Sequence, residues 1–115
     1  MKVIIAGSRD FNDYEKLCKV CDKALKRLKK VEIVSGTAHG ADVLGEKYAK
    51  EKNYSLKQFP ANWDKYGKSA GYRRNAEMAE YADALIVFWD GKSKGTKHMI
   101  DLAEKAKIEV RIINF

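Results

Sequence analysis

The chain has 115 residues, 45% of them hydrophobic and 34% charged, and its formal net charge is +7. This length and apolar share predict a single domain over residues 1–115 and exclude a disordered chain. No apolar run approaches the roughly 18 residues of a membrane-spanning helix, and the start lacks the pattern of a secretory signal. We therefore expect a cytoplasmic protein.

Short apolar runs alternate with helix-like segments along the chain. The five predicted strands are Val3–Ala6, Val31–Ser35, Tyr54–Phe59, Ala84–Trp89 and Val110–Ile113. The four predicted helices between them are one opened by a capping box of Asn12 and Glu15, one from Ala41 that fades near Asn53, one from about Ser69 to Tyr81, and one through Met99 and Ala106. A loop over Ala61–Lys68 precedes the third helix, and a turn over Asp90–Gly95 precedes the fourth. This alternation predicts an α/β, Rossmann-like three-layer sandwich: about five mostly parallel strands with helices on both faces.

Two cysteines, Cys18 and Cys21, have the spacing of a redox or zinc motif. Both fall on the apolar stripe of the first predicted helix, where thiols usually serve as small hydrophobic side chains. Zinc would need two further ligands, and His39 and His98 lack a finger-like spacing. We expect no metal.

The first predicted helix carries a run of lysines, mostly opposite its apolar stripe. They are Lys16, Lys19, Lys23, Lys26, Lys29 and Lys30. A solvated helix face explains such a run, and attraction of phosphate-bearing ligands or nucleic acid is the alternative. The run lacks the interleaved aromatic residues expected of a groove for single-stranded nucleic acid.

Polar loops rich in glycine follow several predicted strands. In a parallel sheet, ligands bind beyond the carboxyl ends of the strands, and glycine lets the backbone approach a phosphate closely. The candidate ligand-binding residues from these loops are Gly7, Ser8, Arg9, Ser35, Gly36, Thr37, His39, Gly40, Asp42, Asp90, Lys94, Gly95 and Thr96. The loops contain neither a Walker A motif nor the fingerprint of a standard NAD site, so we expect no cofactor.

A third candidate segment is Gly71–Met78, which contains Arg73, Arg74 and Asn75. The arginines could form surface pairs with Glu77 or Glu80. Placed at the carboxyl edge of the sheet, one of them could instead clamp a phosphate through two hydrogen bonds.

Five motifs in order resemble the SLOG superfamily, and most closely its small single-domain YspA-related branch. They are Gly7–Phe11, Ser35–Asp42, the loop from Ala61-Asn62-Trp63 to Gly71, Arg74-Asn75 with Met78, and Gly95-Thr96. The resemblance covers nearly the whole chain and implies a Rossmann-like fold that binds nucleotides or their derivatives. Some members are LOG phosphoribohydrolases, others sense ligands in immune and stress systems, and others bind DNA.

The sequence departs from the LOG enzymes in two places. Their catalytic glutamate, three residues after the threonine of the last motif, corresponds to Met99, and Lys92-Ser93 replaces a double glycine. A thioether cannot act as the acid or base for cleaving an N-glycosidic bond. The resemblance therefore implies a retained phosphate site without the family's catalytic carboxylate.

Three functions follow as hypotheses. The first is a non-catalytic pocket that senses or sequesters a signalling nucleotide, such as an ADP-ribose derivative or a cyclic nucleotide. Such a protein could form a homo-oligomer. The second is a nucleotide-processing hydrolase or transferase with another acid or base, for which Asp42, His39, Asp90 and Asp10 are the candidates. The third is a nucleic-acid-binding module that uses the lysine face. On this basis we expect a small-molecule ligand and consider nucleic acid an unlikely partner.

Overall fold

The fold alternates strands and helices from end to end. The computed structural model describes residues 1–115. The strands are β1 (Lys2–Gly7), β2 (Glu32–Ser35), β3 (Ser55–Gln58), β4 (Ala84–Trp89) and β5 (Glu109–Asn114). The helices are α1 (Tyr14–Leu25), α2 (Ala41–Glu51), the single turn α3 (Trp63–Tyr66), α4 (Ala70–Tyr81) and α5 (Lys94–Lys105), with a 3₁₀ turn over Gly67–Ser69. None of the helices is both long and apolar enough to span a membrane.

The five strands form one parallel sheet in the order β3-β2-β1-β4-β5. The order changes direction at β1, because the chain first builds outward to β3 and then crosses to β4 on the other side. β1 and β4 read as continuous apolar runs, since both faces of a central parallel strand are covered by helices. The predicted Rossmann-like α/β fold is confirmed.

Each face of the sheet carries its own apolar core. On one face, α1 and α2 pack against the side chains of Val3, Ile5, Ile86 and Phe88. On the other, α4 and α5 cover alternate residues of the same strands, among them Ile4 and Val87. Cys21 lies in the first core, Cys18 packs at its edge, and both thiols are free.

Two local predictions are wrong. The first helix is capped by Asp13, whose carboxylate accepts the Lys16 N–H at 3.0 Å, and not by a box of Asn12 and Glu15. The segment predicted as a loop over Ala61–Lys68 contains α3, because the Asn62 side chain accepts the Lys65 N–H at 3.1 Å and nucleates a helical turn.

Candidate functional site

A cleft of about 210 Å³ opens at the carboxyl edge of the sheet, beside the point where the strand order changes direction. Its floor is formed by the end of β1, its sides by α2, α4 and α5, and its rim by the segment between β3 and α4. This is where a parallel sheet places its ligands, because helix N-termini and strand-end loops converge there.

The loop after β1 is held in place by Phe11. The Phe11 ring stacks on Phe88 with centroids 4.5 Å apart and meets the edge of Phe115 at 4.9 Å. This apolar anchor fixes the preceding residues, so that Gly7 and Arg9 line the cleft.

The loops after β1 and β4 are joined through Ser8 and Asp90. The Asp90 N–H donates to Ser8 Oγ at 3.2 Å, while the Asp90 carboxylate accepts the N–H groups of Lys92 and Ser93, each at 2.8 Å. These donors lower the pKa of Asp90. Asp90 thus shapes the turn before α5, and its carboxylate is already engaged by backbone N–H groups.

Gly40 permits the sharp entry into α2. Its φ is 83°, and a Cβ there would collide with the carbonyl oxygens of Ser8 and Arg9. Only glycine has both the left-handed backbone and the space this crossing requires. The first turn of α2 is thereby drawn against the loop after β1.

Arg74 reaches across the cleft from α4 to the end of β2. Its Nη1 donates to the Gly36 carbonyl oxygen, and its Nε donates to Asn75 Oδ1 at 3.0 Å. Burial lowers the pKa of this guanidinium. Neither Arg73 nor Arg74 pairs with Glu77 or Glu80. Two of the five guanidinium N–H groups are committed to the fold, and the others are free to donate to a ligand in the cleft.

Asp42 is a buried carboxylate in the first turn of α2, with 5% of its surface exposed. Its Oδ2 accepts the Ala38 N–H at 3.2 Å. Burial raises the pKa of Asp42 to about 6, although the Ala38 N–H and the Arg74 guanidinium lower it. A Cβ placed on Gly36 would lie 2.8 Å from both Asp42 Oδ2 and Arg74 Nη1. The missing side chain at Gly36 therefore leaves room for these two charged groups to stand close together beside the cleft.

The N-terminus of α5 forms the opposite wall. Ser93 caps this helix by accepting the Thr96 N–H at 3.4 Å, and Asn75 Nδ2 donates to the Gly95 carbonyl oxygen at 3.3 Å. Free N–H groups at a helix start, together with the helix dipole, favour an anion.

The structure brings some of the sequence-predicted residues together and leaves others outside. Those that line the cleft are Gly7, Arg9, Asp42, Arg74, Asn75, Gly95 and Thr96. Those that shape the surrounding loops without lining it are Ser8, Ser35, Gly36, Thr37, Gly40 and Asp90. His39 and Lys94 are exposed and do not line it either.

The sequence analysis missed the rim. Trp63, Tyr66 and Tyr72, here named the aromatic rim, have 52%, 37% and 48% of their surface exposed. Trp63 and Tyr72 line the cleft together with Lys68. Arg73 lies 4.3 Å above the centre of the Tyr66 ring. The available signal was the concentration of aromatic and basic residues between Trp63 and Arg74, in the predicted loop and the start of the predicted helix after it.

Met99, at the position of the LOG glutamate, also lines the cleft and is 2% exposed. The helix position that carries the carboxylate in those enzymes therefore carries a thioether here. No group of three or more His, Cys, Asp or Glu side chains is arranged to hold a metal ion.

Sequence comparison places the chain in a family. A family model described as the YspA, cpYpsA-related SLOG family matches residues 1–66. The chain belongs to this family. It is also similar to the Gene 61 protein of Mycobacterium phage D29, with 34% identity over 121 residues that cover 99% of this chain and 95% of the phage protein. The predicted membership of the SLOG superfamily is confirmed.

Two solved structures of DNA processing protein A share the fold. The protein from Streptococcus pneumoniae matches with a TM-score of 0.77 and 20% identity over 99% of this chain and 50% of its own length. The protein from Helicobacter pylori, described for its single-stranded DNA binding mode, matches with a TM-score of 0.67 and 19% identity over 97% of this chain and 64% of its own. The chain thus spans about half to two thirds of these neighbours.

One expectation about partners needs correction. The sequence analysis considered nucleic acid an unlikely partner because the lysines of the first helix lack interleaved aromatic residues. This expectation is wrong: a protein with the same fold over nearly the whole of this chain binds single-stranded DNA. Exposed aromatic residues are present in this chain at the cleft, in the aromatic rim.

Proposed function

We propose that the cleft binds single-stranded nucleic acid, with a backbone phosphate between Arg74 and the start of α5 and a base on the aromatic rim. The observation that carries the proposal is the exposure of Trp63 and Tyr72 beside the half-buried Arg74 guanidinium in the cleft. Proteins that bind single strands combine a basic groove with aromatic faces on which bases stack.

The volume of the cleft favours a nucleic-acid strand as the ligand and not a small molecule that is fully enclosed. About 210 Å³ is below the roughly 300–1,000 Å³ usual for pockets that enclose drug-sized molecules. The cleft can hold a phosphate and a sugar, while the base remains outside at the rim. A chain can then enter and leave at the open side.

Charge supports the same function. The chain carries a net charge of +7, and Lys65, Lys68 and Arg73 stand beside the aromatic rim. Such charges attract a phosphate backbone and make its binding sensitive to salt.

A second candidate is a single nucleotide-derived molecule, such as an ADP-ribose derivative or cyclic nucleotide. It is supported by the buried Asp42 and the half-buried Arg74, which face one small space and can orient one ligand. This ligand would be held without catalysis, because Met99 supplies no acid or base.

Fluorescence anisotropy with labelled dT oligonucleotides tests the first candidate, and competition with ADP-ribose and cyclic AMP tests the second. We expect Trp63→Ala to weaken oligonucleotide binding by about 5- to 100-fold, because stacking of one base is worth roughly 1–3 kcal/mol. Ile112→Ala, at an exposed apolar side chain on β5 that does not line the cleft, is the control. Equal affinity of both variants would contradict the stacking.

Gly95 tests where the phosphate lies. A Cβ on Gly95 meets nothing within 4 Å, although this residue lines the cleft. We therefore expect Gly95→Val to keep its thermal stability and to lose most oligonucleotide binding, because the side chain would occupy the anion site. Unchanged affinity in a folded Gly95→Val variant would exclude the start of α5 as the phosphate site.

A further inference from the structure

The carboxylate of Asp42 has capacity for a hydrogen bond that the protein does not use. Oδ2 accepts the Ala38 N–H, and Oδ1 accepts no hydrogen bond within the chain. No fully buried polar side-chain atom lacks a partner, so Oδ1 retains access to the cleft that Asp42 lines. Asp42 also forms no ion pair within 4.0 Å.

Such a carboxylate is costly to bury. A buried charge is normally paired or hydrogen-bonded through both oxygens, and here one backbone N–H is the only bonded donor. Burial at 5% exposure with one oxygen open to the cleft indicates a donor supplied by the ligand.

The position of Asp42 narrows the identity of this donor. A Cβ on Gly36 would lie 2.8 Å from both Asp42 Oδ2 and Arg74 Nη1, so the carboxylate stands close to the cation that faces a phosphate. The groups of a nucleotide closest to its phosphate are the sugar hydroxyls, while the base extends toward the aromatic rim. A phosphate oxygen carries no proton to donate and is repelled by a carboxylate.

We propose that Asp42 accepts a hydrogen bond from a free sugar hydroxyl of the bound nucleotide. This rests on the proposed function and adds a specificity to it. Within a DNA strand every 3′-hydroxyl is esterified and the 2′-hydroxyl is missing. The cleft therefore prefers a nucleotide with a free hydroxyl, which is either the 3′ end of a strand or a ribose, to an internal deoxynucleotide.

Three labelled six-residue thymidine oligonucleotides test this at pH 7.5 in the presence of EDTA. The first ends in an ordinary 3′-hydroxyl, the second in a 2′,3′-dideoxynucleotide, and the third has the dideoxy end and ribose at its other positions. We expect the second to bind about tenfold more weakly than at least one of the others, the size of a hydrogen bond to a charged group. If the second oligonucleotide binds more weakly than the first, the 3′-hydroxyl is the donor to Asp42. If it binds more weakly than the third, the 2′-hydroxyl is the donor.

The variant Asp42→Asn should bring the three affinities within about threefold of one another, because the charged acceptor is lost. Glu46→Gln is the matched control: Glu46 lies one turn further along α2, accepts the Ser35 hydroxyl at 2.7 Å and does not line the cleft. This variant should retain the wild-type preference.

The two proposals fail in different ways. Equal affinity of the wild type for all three oligonucleotides would overturn the hydroxyl contact and leave the strand-binding function standing. A preference that appears only with added Mg²⁺ would also overturn it, since a metal bridge would then be the link. If no oligonucleotide binds, the strand-binding function fails, and AMP, 2′-deoxy-AMP and 3′-deoxy-AMP decide the hydroxyl contact. Equal binding or no binding in that set would overturn it.

Discussion

Replacing Arg74 by alanine should weaken oligonucleotide binding by about 10- to 100-fold, since a charge-assisted hydrogen bond is worth roughly 1.5–3 kcal/mol. Its Nη1 and Nε are held by the Gly36 carbonyl and Asn75 Oδ1, so the guanidinium is already oriented before a ligand arrives. A donor fixed in advance loses little conformational entropy on binding. The loss should also lower the slope of log affinity against log salt by about 0.7, the value for one contact to a single strand.

Arg74→Lys should recover only part of this affinity. A lysine ammonium group cannot donate to both the Gly36 carbonyl oxygen and Asn75 Oδ1 and also present fixed donors to the cleft. Arg27→Ala removes the same charge from the exposed end of the lysine-rich segment and serves as the control for net charge. Anisotropy titrations at several salt concentrations give both the affinity and the slope of log affinity against log salt. Equal losses in Arg74→Ala and Arg27→Ala would reduce the role of Arg74 to general electrostatics.

The fold could be predicted from the sequence because its signals are local. The strand over Ala84–Trp89 has the bounds that its apolar run predicts. The helix of Ala70–Tyr81 differs from its prediction by one residue at the start. Parallel β-α alternation permits few topologies, and the observed sheet is one of them.

The missed helix α3 shows the limit of periodicity. It contains one turn, Trp63–Tyr66, which is too short to show a repeating apolar stripe. Its signal is the Asn62 cap, and asparagine also starts turns, so this residue alone does not indicate a helix. As a result, Trp63 and Tyr66 were assigned to a loop, while Tyr72 fell in the next predicted helix.

The candidate site could be predicted only as a set of loops. Glycines after strands indicated the edge of the sheet, and seven of the predicted residues do line the cleft. The sequence could not show that Arg74 bonds to Gly36, which is 38 positions away. Nor could it show that Asp42 is buried while His39, three residues earlier, is exposed, because this difference depends on the packing of α2 against the loop after β1.

The buried carboxylate of Asp42 should destabilise the ligand-free protein at neutral pH. Burial raises its pKa from the ordinary 3.8 to about 6, so the folded state binds this proton more tightly than the unfolded state. The contribution of Asp42 to the free energy of unfolding is therefore highest below about pH 4, falls as the pH rises to about 6, and stays low above it. Two pKa units correspond to an upper value of about 3 kcal/mol.

Asp42→Asn should consequently raise the free energy of unfolding at pH 7 by about 1–3 kcal/mol, while it abolishes the preference for a free hydroxyl. Asparagine keeps an oxygen for the Ala38 N–H and carries no charge to bury. Urea unfolding of the wild type and of Asp42→Asn from pH 4 to pH 8 measures the difference in their free energies of unfolding. This difference should be near zero at pH 4 and reach its full value by pH 7. The pKa of Asp90 is lowered by backbone N–H groups in both proteins, so the contribution of Asp90 to the free energy of unfolding cancels in this difference. The control is Asp10→Asn, at an exposed carboxylate next to Arg9, and this variant should not gain stability at pH 7, because the charge it removes is not buried. A stability gain paired with a loss of ligand discrimination is the pattern of a group retained for binding, and a loss of stability at pH 7 would instead make Asp42 a structural residue.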